Sequence, residues 1–186
     1  MGKKVGNHAI HIAIAVLGVL SFFVVLQTAH AAAPTAGITT LDGVHQQTIS
    51  GIATGSSLAV GDIDRDGVDE IIVGSGPGKA ARVSIYEQGG QLVRTFTVFH
   101  GASFGVTVAL GNFSGKGTLD IAVAPRRGGG PQILLYDVNG KQLSLGFFAY
   151  SKNFHGGVNL TAGDIDGDGA DEIITAPLTS GGPHVS

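Results

Sequence analysis

Most of the acid in this chain sits in two nine-residue stretches. Ten of the fourteen acidic residues are Asp62, Asp64, Asp66, Asp69 and Glu70, and Asp164, Asp166, Asp168, Asp171 and Glu172. Five carboxylates so close together repel one another unless a cation sits among them. Positions 1, 3 and 5 of each stretch aim their oxygens inward around a tight turn, which Gly67 or Gly169 at position 6 permits. Val68 or Ala170 at position 7 offers a backbone carbonyl, and Glu70 or Glu172 at position 9 closes the shell. Hard oxygen ligands suit calcium, whereas magnesium demands a tighter octahedron and keeps its waters. The expected calcium ligands are therefore Asp62, Asp64, Asp66, Val68 and Glu70, and Asp164, Asp166, Asp168, Ala170 and Glu172. A merely solvated acidic turn is the alternative, against which two copies of near-identical spacing weigh. An EF-hand does not fit: no helical pattern flanks either stretch, and position 12 is Val73 or Thr175, not Glu.

The acidic stretches belong to a longer repeat. Leu58-Ala-Val-Gly-Asp-Ile-Asp aligns with Val108-Ala-Leu-Gly-Asn-Phe-Ser and Leu160-Thr-Ala-Gly-Asp-Ile-Asp, which puts the marker glycines Gly61, Gly111 and Gly163 50 and 52 residues apart. Each unit opens on a short apolar strand (Ser57 to Val60, Val106 to Leu110, Val158 to Ala162), followed by the loop. A β-branched second strand comes next, starting at Glu70, Asp120 or Glu172, then a Gly/Pro-rich turn. Third strands are expected at Arg82 to Glu87 and Gln132 to Asp137, fourth strands at Gln91 to Val98 and Gln142 to Tyr150. Four strands in a unit of this length make an all-β fold, a β-propeller of four-stranded antiparallel blades, with about two and a half blades present. The units are expected at 51–100, 101–152 and 153–186, the last incomplete.

The middle unit reads Asn112-Phe-Ser-Gly-Lys116-Gly117-Thr-Leu-Asp120. It keeps the turn glycine and the last carboxylate but places Lys116 at position 5. This loop is expected to bind no calcium, its ammonium standing against Asp120 where a cation would otherwise be.

Composition excludes several classes. With 43% hydrophobic and 13% charged residues the chain folds, and its 31 glycines lack a Gly-X-Y period. A net charge of −3 provides no electrostatic footprint for nucleic acid. Without cysteine there is no disulfide, thiolate metal site or thiol nucleophile.

The first 31 residues have the pattern of an export signal: Lys3 and Lys4 precede an uncharged, mostly apolar run from Ala9 to Leu26, and Ala29-His30-Ala31 fits a small-x-small cleavage site. An uncleaved membrane anchor is the alternative, and the only membrane contact expected. Either way the remainder is extracytoplasmic, secreted or at the cell surface, where free calcium is plentiful. Residues 32–50 are a linker or, with Asp42-Gly43 at a turn, an outer strand for a neighbouring blade. The chain stops at Pro183-His-Val-Ser186, where a third strand is due, so a fragment of a longer protein with further blades is expected.

These residues resemble the FG-GAP repeats of integrin α-subunit propellers and their bacterial relatives, often called VCBS-type or integrin-like repeats. The resemblance spans residues 51–186. Phe104-Gly105 and Ala124-Pro125 flank the middle loop as the family name describes; the third unit keeps Ala176-Pro177, and the first has Gly74-Ser75 and no Phe-Gly pair. The resemblance implies a seven-bladed propeller carrying calcium between the first and second strands of its blades and serving adhesion or ligand binding.

The functional expectation is a non-catalytic calcium-binding module whose loops engage a protein or carbohydrate. The alternative is an accessory propeller of a secreted hydrolase or lyase whose catalytic part lies outside the chain. His100 and His155, each in Phe-His-Gly, read as architectural because the triplet repeats, and no catalytic constellation accompanies them. Arg126-Arg127 reads as a solvated turn rather than an anion site. The glycosylation patterns at Asn112 and Asn159 read as incidental.

Overall fold

The computed structural model describes residues 10–12, 22–27, 35–40 and 46–180. It divides into two compact units, Met1–Thr54 and Gly55–Ser186. In the first, β1 (Ile10–Ile12), β2 (Phe22–Gln27), β3 (Thr35–Thr40) and β4 (Gln46–Ser50) form an antiparallel sheet in chain order. Ile10 pairs with Leu26, Phe22 with Thr40 and Thr35 with Ser50. Lys3, Lys4, Ala29-His30-Ala31, Asp42-Gly43 and the terminal Pro183 to Ser186 lie outside the described residues. No helix of the described residues is long and apolar enough to cross a membrane.

The second unit is all-β. The first blade is β5 (Ser57–Gly61), β6 (Glu70–Gly74), β7 (Arg82–Tyr86) and β8 (Leu92–Thr97). The second is β9 (Val106–Gly111), β10 (Asp120–Pro125), β11 (Gln132–Tyr136) and β12 (Phe147–Phe148), and the third contributes β13 (Val158–Gly163) and β14 (Glu172–Pro177). Strands neighbour one another in chain order in each antiparallel sheet, so every connection is a hairpin. These are the four-stranded sheets of propeller blades.

Strand alternation puts the core between blades. Val83 and Ile85 on β7 and Ile72 on β6 pack with Val106, Val108, Ile121, Val123 and Leu134 of the second blade. The other face of β10 presents Ala124, which joins Ile133, Val158, Leu160 and Ile173 in the seam toward the third blade. A central strand buried on both faces reads as a continuous apolar run, as Ile-Ala-Val-Ala does here. First strands also touch directly: the Thr107 hydroxyl donates to the Val158 carbonyl at 2.6 Å, and the Val108 amide donates to Ser57 Oγ at 3.1 Å. The innermost strands therefore run side by side, one per unit.

The second blade's outer strand is shorter than expected. Pairing starts at Gln142 opposite Tyr136 and the Leu143 amide reaches the Leu135 carbonyl, but the ladder breaks before Phe147. Gly146 has φ +76° and lies so close to β11 that a Cβ would sit 2.2 Å from the Ile133 carbonyl oxygen. That left-handed residue turns the chain out of the ladder between Ser144 and Phe147.

Candidate metal centre

Each acidic stretch connects the first and second strands of its blade, held at one end by the Gly61–Glu70 or Gly163–Glu172 pair. Position 1 organises the turn, its side chain accepting backbone amides ahead of it as in an Asx-turn. Asp62 Oδ1 accepts from the Arg65 and Asp66 amides at 2.6 and 3.1 Å, and Oδ2 from Gly67 at 3.0 Å. Asp164 accepts from Gly167 at 2.7 Å and Gly169 at 3.0 Å. Positions 3 and 5 each accept the amide two residues on: Asp64 from Asp66 and Asp66 from Val68, Asp166 from Asp168 and Asp168 from Ala170. Position 9 reaches back across the loop, Glu70 Oε2 accepting from Ile63 at 3.0 Å and Glu172 Oε2 from Ile165 at 2.9 Å. Positions 4 and 6 are left-handed in both loops (Arg65 φ 68°, Gly67 φ 90°; Gly167 φ 80°, Gly169 φ 90°), so the non-glycine Arg65 carries a cost of about 1–2 kcal/mol.

In both loops carboxylate oxygens take the amides of positions 2 and 4 to 7, and the carboxylates also converge on one another. One ligand atom from each of Asp62, Asp64 and Asp66 lies within 4.8 Å of the others, and the same holds for Asp164, Asp166 and Glu172. Among the described residues these two groups could hold a metal ion. Asp168 stays outside the second group and Glu70 outside the first; Val68 and Ala170 are seen donating their amides to position 5.

Glu70 supplies an independent test of whether a cation fits. Only 2% of its surface is exposed, and its Oε1 is buried with no hydrogen-bond partner. Burial holds its carboxyl above the usual value, the Ile63 amide opposes this in part, and the charges of Asp64, Glu87 and Asp66 add to the rise. An orphaned buried carboxylate oxygen beside further carboxylates is costly and suits a cation.

The middle loop keeps the turn by other means. Asn112 Oδ1 accepts from the Gly117 amide at 2.8 Å, as Asp62 and Asp164 do at their own position 6. The expected Lys116–Asp120 ion pair does not form. Asp120 is held above the usual carboxylate value by burial first and Asp137 second, while Lys116 draws it down from a distance. Exposed Lys116 gains too little from a fixed geometry to immobilise its side chain. Accordingly, Lys116→Met is expected to raise the Asp120 titration midpoint, followed by carboxyl NMR, while shifting stability at pH 7 by less than about 1 kcal/mol.

The three loops lie side by side. Arg65 Nη2 contacts the Lys116 carbonyl at 3.4 Å. The second and third loops are joined by Asn112 N to Asp171 Oδ2 at 2.6 Å, Asp171 N to Asn112 O at 3.1 Å, and Asn112 Nδ2 to the Gly169 carbonyl at 2.7 Å. Sequence reasoning had grouped Asp171 with the loop acids and missed this role, which no signal in one loop alone announces.

A second set was overlooked although its signal was present. Gly55, Gly105 and Gly157 each stand six residues before the marker glycine, and all have positive φ. A Cβ on Gly105 would meet the Gly76 carbonyl oxygen at 2.2 Å, and one on Gly157 the Arg127 amide nitrogen at 2.6 Å. The glycine, rather than the whole Phe-Gly pair, recurs where each blade begins.

The Arg126-Arg127 turn is also not a solvated pair. Arg127 is exposed, but Arg126 is partly covered and its Nε is buried without a partner, burial lowering the guanidinium's proton affinity. Gly157 packs against the backbone of both residues and closes over them. The two Phe-His-Gly triplets occupy different places in their units, His100 in a left-handed turn (φ 53°) and His155 in an ordinary loop; both imidazoles are exposed.

The FG-GAP repeat family model matches residues 54–87, from Thr54, just before Gly55, through β7. No curated protein matches the chain.

Proposed function

The chain carries an FG-GAP repeat, and on that premise we propose that it is a non-catalytic, extracellular calcium-binding propeller module for adhesion or ligand binding. Calcium locks the turn between the first and second strands of the first and third blades. Asp62, Asp64, Asp66, the Val68 carbonyl and Glu70 would hold one ion; Asp164, Asp166, Asp168, the Ala170 carbonyl and Glu172 the other. The bound ion supplies charge neutralisation and a fixed oxygen shell, and the chain's residues do the rest. The observation that carries this reading is the unpartnered, buried Oε1 of Glu70, whose carboxyl feels the charges of Asp64 and Asp66, in the loop where the oxygens of Asp62, Asp64 and Asp66 converge.

Locking the loops steadies the blade end on which they lie, and the ligand, a protein or a carbohydrate, engages loops of such blades. Export through the N-terminal segment delivers the module to a calcium-rich compartment. Sites of extracellular modules bind at about 10⁻⁴ to 10⁻³ M. Calorimetric titration is expected to show two calcium ions per chain, one lost with Asp64→Ala and the other with Asp166→Ala, with no heat from magnesium at equal concentration. A folded chain that takes up no calcium sinks the proposal.

A further inference from the structure

We propose that the acid-poor second loop is a clamp that shapes the ion site of the third, with Asn112 and Asp171 as positioning residues. This rests on the calcium reading above. The peptide linking Ala170 to Asp171 donates its N–H to the Asn112 carbonyl at 3.1 Å. In a trans peptide C=O and N–H point in opposite directions, so this bond turns the Ala170 carbonyl, the position 7 ligand, away from the second blade. The preceding peptide is pinned at both ends: the Gly169 carbonyl accepts from Asn112 Nδ2 at 2.7 Å, and the Ala170 amide donates to Asp168 Oδ1 at 2.8 Å. A third bond, from the Asn112 amide to Asp171 Oδ2 at 2.6 Å, fastens the two loops through a charged acceptor.

The joint between the first and second loops is built differently. There position 8 is Leu119, which packs on Gly61: a Cβ on that glycine would lie 2.9 Å from Leu119 Cδ1. That apolar contact, with one bond from the Arg65 guanidinium to the Lys116 carbonyl at position 5, leaves the peptides of positions 6 and 7 unpinned across the joint, whereas the Asn112–Asp171 joint fixes two successive peptides of the third loop. The side chain of Asn112 does double duty, since its Oδ1 also accepts the Gly117 amide of its own loop. A residue without acid thus preorganises a neighbour's ion site, and the order it imposes is not lost again on binding.

The test uses the full chain carrying Asp64→Ala, so that only the third loop titrates. Adding Asn112→Ser leaves a hydroxyl for the Gly117 amide but is too short to reach Gly169; Asn112→Ala, read in the same way, is the second variant. Calorimetry is expected to show the third-loop dissociation constant rising about tenfold. In a chain carrying Asp166→Ala instead, the first loop's affinity is expected to be unchanged by Asn112→Ser. Equal third-loop affinity with and without Asn112→Ser overturns the clamp, as does a lower melting temperature in chelator with the affinity unmoved, the mark of a purely structural brace. If the chain with Asp64→Ala alone takes up no calcium, the calcium reading of the third loop falls and the clamp with it.

Discussion

Gly105→Ala is expected to lower the melting temperature of the second unit by roughly 10–20 °C, from a loss of about 3–5 kcal/mol. Two costs combine. Gly105 has φ +69°, where a side chain is disfavoured by about 1–2 kcal/mol. Its Cβ would also lie 2.2 Å from the Gly76 carbonyl oxygen and 2.6 Å from that of Ser75. Neither atom has freedom to retreat, because the Val106 amide donates to the Ser75 carbonyl at 2.9 Å and the Lys79 amide to the Gly76 carbonyl at 3.2 Å. Gly78→Ala separates the two costs: Gly78 has φ +71° with nothing within 4 Å of a Cβ, so only the conformational cost, about 1–2 kcal/mol, is expected. Thermal melts of both variants check the difference, and equal losses would show that the close approach is not what blade docking depends on.

Glu70→Gln is expected to move stability in opposite directions with and without calcium. In chelator, the Glu70 carboxyl is held above its usual value by burial and by neighbouring carboxylates. Its contribution to stability is thus fully present below the unfolded value of about 4.5 and lost as pH rises through the higher folded value. Glutamine keeps an oxygen for the Ile63 amide and carries no charge, so the variant should melt higher than the parent in chelator at pH 7. In calcium the sign reverses, because a cation favours the ionised form. An ion at 100 times its dissociation constant contributes about 2.7 kcal/mol to each site, and the variant should forfeit that share at the first loop. Melting curves at pH 5 and 7, in chelator and in calcium, test both halves. A calcium increment that survives Glu70→Gln intact removes Glu70 from the site.

Much of this arrangement was legible because its signals are local. The second strand of the first blade begins at Glu70 as read, since a β-branched run following a polar turn has no competing period. The nine-residue loops were legible because Asx-turns are made by residues a few positions apart. Where long-range packing decides, local reading went astray. Gln142 to Tyr150 has the composition of a full strand, yet the approach of Gly146 to β11 interrupts it. Arg126-Arg127 looks solvated until the third blade closes over Arg126.

Sequence by itself determined the class of fold, the period of the units and the loops in which carboxylates gather, because turn chemistry and alternation are properties of neighbouring residues. Tertiary structure alone decided which oxygens are spoken for and which are left over. It decided that Glu70 is buried with one oxygen unpartnered, and that Lys116 stands off from Asp120. The joint between Asn112 and Asp171 likewise spans 59 residues of chain and exists only because two blades dock. The physical reason is common to all three: desolvation and hydrogen-bond competition depend on what packs against a group, and in stacked blades that neighbour lies about fifty residues away.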